Sequence, residues 1–316
     1  MILSLGWCLL ALLFLALGGD SILKGASGLS RRFGWSPFAT GLLLVAFGTS
    51  IPELAVNARA FVVGSQNLAL GNAIGSNIVN FGLTLGLAAI AAPLLVRWRA
   101  LAPLLICLVL ATLALIALGF DGVLTRVEGL MFVVAFAIVV AVALVLGRRE
   151  TPEVQDALSG FLKTGDGLGL NLIRFAIGAA LLYFGALWLV RHMPIVGTAW
   201  GLSPVLTGLI VVAIATALPE AVAAVSAARR GQGDIVVGHV IGSSLFNLLI
   251  VVGGMAALRD LPIPTSFVGF ELPAALAASL LLYPMLRRDL QISRPEGWVL
   301  LLAFVAWVVA ELLLVR

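Results

Sequence analysis

Long apolar runs alternate with short polar breaks along this chain, and the runs number ten. They cover about residues 2–23, 37–63, 68–92, 101–119, 127–147, 171–191, 204–228, 235–257, 270–286 and 297–315. Each approaches the ~20 residues that an α-helix needs to cross a bilayer, so the pattern predicts ten spans. The one long polar connection, residues 148–169, separates the fifth run from the sixth and reads as a linker between two five-helix halves.

Polar positions inside the runs recur as well. GTSIPE, Gly48 to Glu53, returns as ATALPE, Ala215 to Glu220. GNAIGSNIVN, Gly71 to Asn80, returns as GHVIGSSLFN, Gly238 to Asn247. The offset of 167 is unbroken (53 to 220, 80 to 247), and 19 of the 53 positions in 34–86 match 201–253, which marks an internal duplication. A carboxylate at membrane depth is costly and points to function. Two at equivalent places in a duplicated chain predict one shared ion site where the repeats meet.

Composition supports the membrane reading: 62% of residues are hydrophobic and 11% charged, against roughly 45–50% and about 25% in soluble domains. No basic run suggests nucleic acid. Cys8 and Cys107 both lie in apolar runs and indicate neither a disulfide framework nor a thiolate metal site. The N-terminus lacks a basic leader and reads as a retained first span.

Basic residues set the direction. With the N-terminus outside, and Arg59 in the outer part of span 2 left uncounted, 14 fall inside (Lys24, Arg31, Arg32, Arg97, Arg99, Arg148, Arg149, Lys163, Arg174, Arg229, Arg230, Arg287, Arg288, Arg294) and 4 outside (Arg126, Arg191, Arg259, Arg316). The positive-inside rule then places both termini outside and the linker in the cytoplasm. Five spans per half is an odd number, so the second half enters from the opposite side. The expected fold is an all-α polytopic membrane protein, with ten transmembrane helices as two inverted five-helix repeats. The halves are 1–147 and 170–316, with the motif segments at about 34–86 and 201–253 and the cytoplasmic linker at 148–169.

The residue types suit a hard cation. Thr49 and Glu53 are four apart and share a helix face, as do Thr216 and Glu220. Pro52 and Pro219 lack an N–H and clash with the carbonyl four residues back, predicting a kink or unwinding at Gly48 and at Ala215 that turns nearby carbonyls, including Ala46, into a cavity. The following spans carry polar ladders at four-residue spacing: Asn72, Ser76 and Asn80, then His239, Ser243 and Asn247. Two carboxylates, hydroxyls, carboxamides and backbone carbonyls form an all-oxygen set fit for Ca²⁺, which takes 6–8 oxygens.

These segments resemble the sodium/calcium exchanger family of the calcium:cation antiporter superfamily, with its two G-T-S-[LIV]-P-E repeats, each followed by G-N-x-[IV]-G-S-N. The lead-in Gly18 to Gly41, the ten-span layout and the central linker are similar too. The resemblance implies a plasma (inner) membrane antiporter, not an enzyme, that moves Ca²⁺ against Na⁺ or H⁺ and holds no resident cofactor. It implies a central Ca²⁺ position at Glu53, Glu220, Thr49 and Thr216. It assigns flanking Na⁺ positions to Ala46, Ser50, Ser76, Ala213 and Ser243, and midplane amides to Asn80 and Asn247. It further implies that spans 1 and 6 slide past the other eight. Partners are the transported ions and the lipid bilayer, and a monomer is expected. The second repeat departs from the pattern: Ala217 replaces the counterpart of Ser50, Ala215 the motif glycine and His239 the usual Asn. The loss of a hydroxyl at Ala217 keeps a Ca²⁺/H⁺ exchanger of the same fold as the alternative. A channel would conduct without a counter-ion, and no H-E-x-x-H, G-x-S-x-G or Walker motif supports an enzyme.

Overall fold

The computed structural model describes residues 1–97, 99, 101–161, 164–165 and 167–314, the side chains of 286–289 and 314 aside. Lys163, Arg316 and the side chains of Arg287 and Arg288, used in the charge count, lie outside the described residues. Among the described residues, nine helices are long and apolar enough to cross a membrane, and a bent pair supplies a tenth. In chain order they are α1 (Ile2–Arg32), the bent pair α2 (Pro37–Ala46) and α3 (Ile51–Val62), α4 (Gln66–Ala91), α5 (Leu101–Asp121) and α6 (Arg126–Gly147). A short helix α7 (Pro152–Ser159) occupies the linker. The second half holds α8 (Leu168–Ala199), α9 (Pro204–Arg229), α10 (Gly233–Leu258), α11 (Phe267–Met285) and α12 (Arg294–Leu314).

Local chemistry repeats with the sequence. Ser36 and Ser203 cap α2 and α9, each accepting a bond from a backbone N–H three residues on, and each precedes a proline at the first helical position. Gly34 and Gly201 both adopt φ of +74°, and Gly64 and Gly231 adopt +81° and +72°. A side chain is strained there, so both pairs stay glycine in the two halves.

Two small antiparallel ladders tie the halves together. β1 (Leu94–Leu95) pairs with β4 (Gln291–Ile292), and β2 (Val123–Leu124) pairs with β3 (Leu261–Pro262). The connection after α4 thus shares a face with the one after α11, and the connection after α5 with the one after α10. This is the arrangement that inverted halves require.

The interior is built crosswise: α2 packs on α10, and the start of α9 packs on α4. Glycines let the backbones touch. A Cβ on Gly242 would lie 2.2 Å from the Ala46 carbonyl oxygen, and one on Gly75 would lie 2.1 Å from that of Leu209. Close approach through small residues is the usual device between membrane helices.

α1 and α8, of 31 and 32 residues, outrun the predicted spans 2–23 and 171–191. Their polar ends are held by each other rather than by hydrophobicity. They run antiparallel along a seam of small residues spaced by seven: Ala11, Gly18 and Gly25 meet Gly185, Gly178 and Asn171. Ser21 Oγ donates to the Arg174 carbonyl at 2.9 Å. The linker is not wholly irregular, because α7 packs on α2 and buries Val154 and Leu158.

Candidate ion site

The first motif breaks its helix as expected. α2 and α3 meet at 45° through a 3₁₀ turn, Gly48–Ser50. There the Ser50 N–H donates to Phe47 O at 3.2 Å and not to Ala46. The Ile51 N–H takes the Gly48 carbonyl that Pro52 cannot serve. The Ala46 carbonyl therefore loses its helical donor beside Gly242.

The second motif does not break, which corrects the expectation for Pro219. The helix Ala213–Arg229 runs through it. Ala215 stands where Gly48 does and favours helix by about 1 kcal/mol. The Thr216 hydroxyl donates back to the carbonyls of Val212 (3.0 Å) and Ala213 (3.3 Å). The irregularity moves a turn earlier, into a π-segment at Thr207–Val212. Further π-segments start at Asn80 and Asn247, one per half, each at the last rung of a ladder. Such bulges often mark functional positions.

The two carboxylates converge. Glu53 and Glu220 face each other within hydrogen-bonding range. The Oε2 atom of each is buried with no hydrogen-bond partner. Around them the halves interlock. Thr49 Oγ1 lies 2.8 Å from His239 Nδ1. Ser50 Oγ donates to Ser243 Oγ at 2.7 Å, and Asn80 Nδ2 donates to the same oxygen at 3.2 Å. Ser76 Oγ and Asn247 Oδ1 are buried without partners, while Asn247 Nδ2 donates to Asn77 Oδ1 at 3.2 Å. Ala217 is buried at 1% exposure and brings no hydroxyl.

One expected ladder rung points elsewhere: Asn72 Nδ2 donates to Asn57 Oδ1 at 2.8 Å, a local clasp four residues beyond Glu53. Its second-half counterparts at the same offset are His239 and Ala224. With no amide at 224, His239 reaches across the repeat boundary to Thr49. That paired replacement was readable in the repeat alignment, though its consequence was not.

Two cavities meet at Thr49 and Glu220. One of about 190 Å³ is walled by α1, through Leu12 to Leu23, and by Pro52, Thr216 and Pro219. The other, of about 320 Å³, runs past Ala224 and His239 to Arg230, Gln232 and the linker residues Gly160 and Phe161. Buried oxygens lacking donors, set at the junction of polar-ended cavities, are what a desolvated cation would complete. No cationic side chain of the described residues fills that role.

Comparison with known proteins identifies the family. The family described as sodium/calcium exchanger protein matches residues 3–145 and 170–313. A putative antiporter, CaxA of Alkalimonas amylolytica, is 32% identical over 304 residues, covering 95% of both chains. The sodium/calcium exchanger MaX1 of Methanosarcina acetivorans is 29% identical over 336 residues, covering 95% of this chain and 96% of its own. The solved sodium-calcium exchanger NCX_Mj, soaked with Na⁺ and Sr²⁺, superposes with a TM-score of 0.69 at 28% identity, covering 100% of this chain and 99% of its own. The fold, the duplicated motif and these matches together establish that the chain is a multi-pass membrane protein belonging to the sodium/calcium exchanger family.

Proposed function

We propose that this antiporter exchanges Ca²⁺ for Na⁺ by alternating access at the site between Glu53 and Glu220. The observation that carries the reading is the facing carboxylate pair, each with a buried, donor-free Oε2. Two carboxylates supply about −2. One Ca²⁺ or two Na⁺ restore neutrality, and three Na⁺ leave +1 and make exchange electrogenic. An unneutralised pair resists passage through a dry barrier, since the effective cost of burying an ion is several kcal/mol. That cost links the change of access to ion binding, as antiport requires.

Thr49, Thr216, Ser50, Ser76, Ser243, Asn80, Asn247 and the carbonyl of Ala46 complete the proposed ligand set; the Ala213 carbonyl, expected in the same role, heads an unbroken helix and accepts from Thr216. The halves 1–147 and 170–316 act as units joined by the linker 148–169. Movement is assigned to α1 and α8, whose small-residue seam makes them one body that packs mainly on itself. With both termini outside the inner membrane and the linker in the cytoplasm, the larger cavity opens toward the cytoplasm.

Coupling to H⁺ at the same glutamates is the second reading, favoured by one observation: buried Ala217 supplies no oxygen where Ser50 does in the other half. The site itself is tested with Glu53→Gln and Glu220→Gln. Each glutamate supplies half of the charge that neutralises Ca²⁺, and leaving a buried charge uncompensated costs ~3–5 kcal/mol, so each variant should lose Ca²⁺ binding by ~100-fold or more and abolish ⁴⁵Ca²⁺ flux. Near-normal flux in either would remove the assignment.

A further inference from the structure

A second pair of buried acids lies away from the ion site. Glu271 on α11 and Glu311 on α12 are both 0% exposed. They lie within electrostatic range of each other. The Trp307 indole borders Glu311 and the Ser266 hydroxyl borders Glu271, yet all four carboxylate oxygens and Trp307 Nε1 are buried without a hydrogen-bond partner. None of the proposed ion ligands sits on α11 or α12.

The pair belongs to the second half alone. The offset between halves is 167 at β1 and β3 (94 to 261) and 168 at β2 and β4 (123 to 291). The second half therefore has one extra residue between those strands. In that interval α11 opens with a π-turn, Phe267–Glu271, which the helix Leu101–Leu118 of the first half lacks. A π-turn houses an extra residue in a helix. At either offset the first-half counterparts are Pro103 or Leu104 for Glu271, and Ala143 or Leu144 for Glu311. Duplication did not supply these acids, and the transport site does not use them.

Two bare carboxylates cannot share a buried apolar position cheaply. No Lys or His is present in α4, α5, α11 or α12, or in β4, the elements packed around the pair. Arg294 is 17 residues from Glu311, ~25 Å along the helix. The other ionisable groups on these elements are Cys107 and Asp121 on α5, Tyr283 on α11 and Glu296 on α12. None of them neutralises an acid at Glu271 or Glu311. A metal ion is a poor occupant: Ca²⁺ needs 6–8 oxygens, whereas the two acids bring four carboxylate oxygens, with the Ser266 hydroxyl and the Trp307 indole beside them. A proton needs no coordination shell, and the indole and hydroxyl donors can serve the carboxyl oxygens that remain bare.

We propose that Glu271 and Glu311 form a proton-binding site, distinct from the ion site, in which burial without a counter-ion keeps at least one of the two carboxyls protonated.

Infrared spectroscopy of the purified full chain at neutral pH tests this through the C=O stretch of a protonated carboxyl and its shift in D₂O. The Glu53→Gln/Glu220→Gln background removes the ion-site carboxyls, so the result does not depend on how that site works. One protonated-carboxyl band is expected there, and it should vanish when Glu271→Gln and Glu311→Gln are added. No band in that background, or a band that survives the added changes, overturns the proposal. So does a loss of ⁴⁵Ca²⁺ or ²²Na⁺ binding stoichiometry on introducing Glu271→Gln and Glu311→Gln into the otherwise unaltered chain, since that marks a metal site. If the added changes prevent folding, wild-type protein with saturating Ca²⁺ decides: the band must persist when the ion-site acids are ionised by Ca²⁺, and its absence rejects the proton-binding site.

Discussion

Gly242→Ala puts one methyl group at the point where the two halves press on the ion site. The added Cβ would fall 2.2 Å from Ala46 O, 2.5 Å from Ala46 Cα and 2.7 Å from its carbonyl carbon. These are backbone atoms, so no side chain can swing aside. Reaching ordinary contact at 3.4 Å requires Ala46 or α10 to retreat by about 1.2 Å. That shift lands on a proposed ligand carbonyl and on Ser243, which accepts the bonds of Ser50 and Asn80. Overpacking of this kind costs ~1–3 kcal/mol, and ~2 kcal/mol taken from ion binding is about a 30-fold weaker apparent affinity. The assay is ⁴⁵Ca²⁺ uptake into proteoliposomes across a range of Ca²⁺ concentrations, with Gly254→Ala as control because nothing lies within 4 Å of its added Cβ. Gly242→Ala should raise the half-saturating Ca²⁺ concentration by ~10–100-fold while the control stays near wild type. Equal affinities in the two variants would refute the claim that the Gly242–Ala46 contact sets the site.

Two further changes probe the asymmetry between repeats. Ala217→Ser restores the missing hydroxyl and should strengthen the Na⁺ dependence of Ca²⁺ flux, read as a lower half-activating Na⁺ concentration; unchanged Na⁺ activation would show that the hydroxyl is irrelevant. His239→Ala removes the cross-repeat bond to Thr49. A hydrogen bond contributes ~0.5–1.5 kcal/mol, so Ca²⁺ affinity by calorimetry should fall ~2–12-fold. The same change in a Thr49→Val background should then add little, and fully additive losses would contradict a direct Thr49–His239 coupling.

Much of this molecule was readable because duplication acts as an internal control. The apolar runs gave ten spans, and the unbroken offset picked out Thr49, Glu53, Thr216 and Glu220 from a chain full of hydroxyls. The failures have local causes. Pro219 looked equivalent to Pro52, but a helix break also needs a weak neighbour, and Ala215 with the Thr216 back-bond holds the second helix together. The ends of α1 and α8 were invisible to hydropathy because Gly25 and Gly28 are buried by packing against Asn171 and Phe175 of the other half's helix rather than by their own apolarity. The Asn72 rung turned to Asn57, a partner on another helix that four-residue spacing within one span does not reveal. Glu271 and Glu311 escaped notice because they have no partner in the first repeat, so the comparison that exposed Glu53 and Glu220 was silent there.

The proposed exchange turns on which gradient drives Ca²⁺ through the Glu53–Glu220 site. The most direct measurement is ⁴⁵Ca²⁺ uptake into proteoliposomes under an outward Na⁺ gradient and, separately, an outward H⁺ gradient, at matched membrane potential. Uptake should be driven by Na⁺ and lost in Glu53→Gln. Uptake driven by H⁺ alone would keep the fold and the Ca²⁺ site but contradict sodium coupling, and no uptake under either gradient would contradict Ca²⁺ as the cargo.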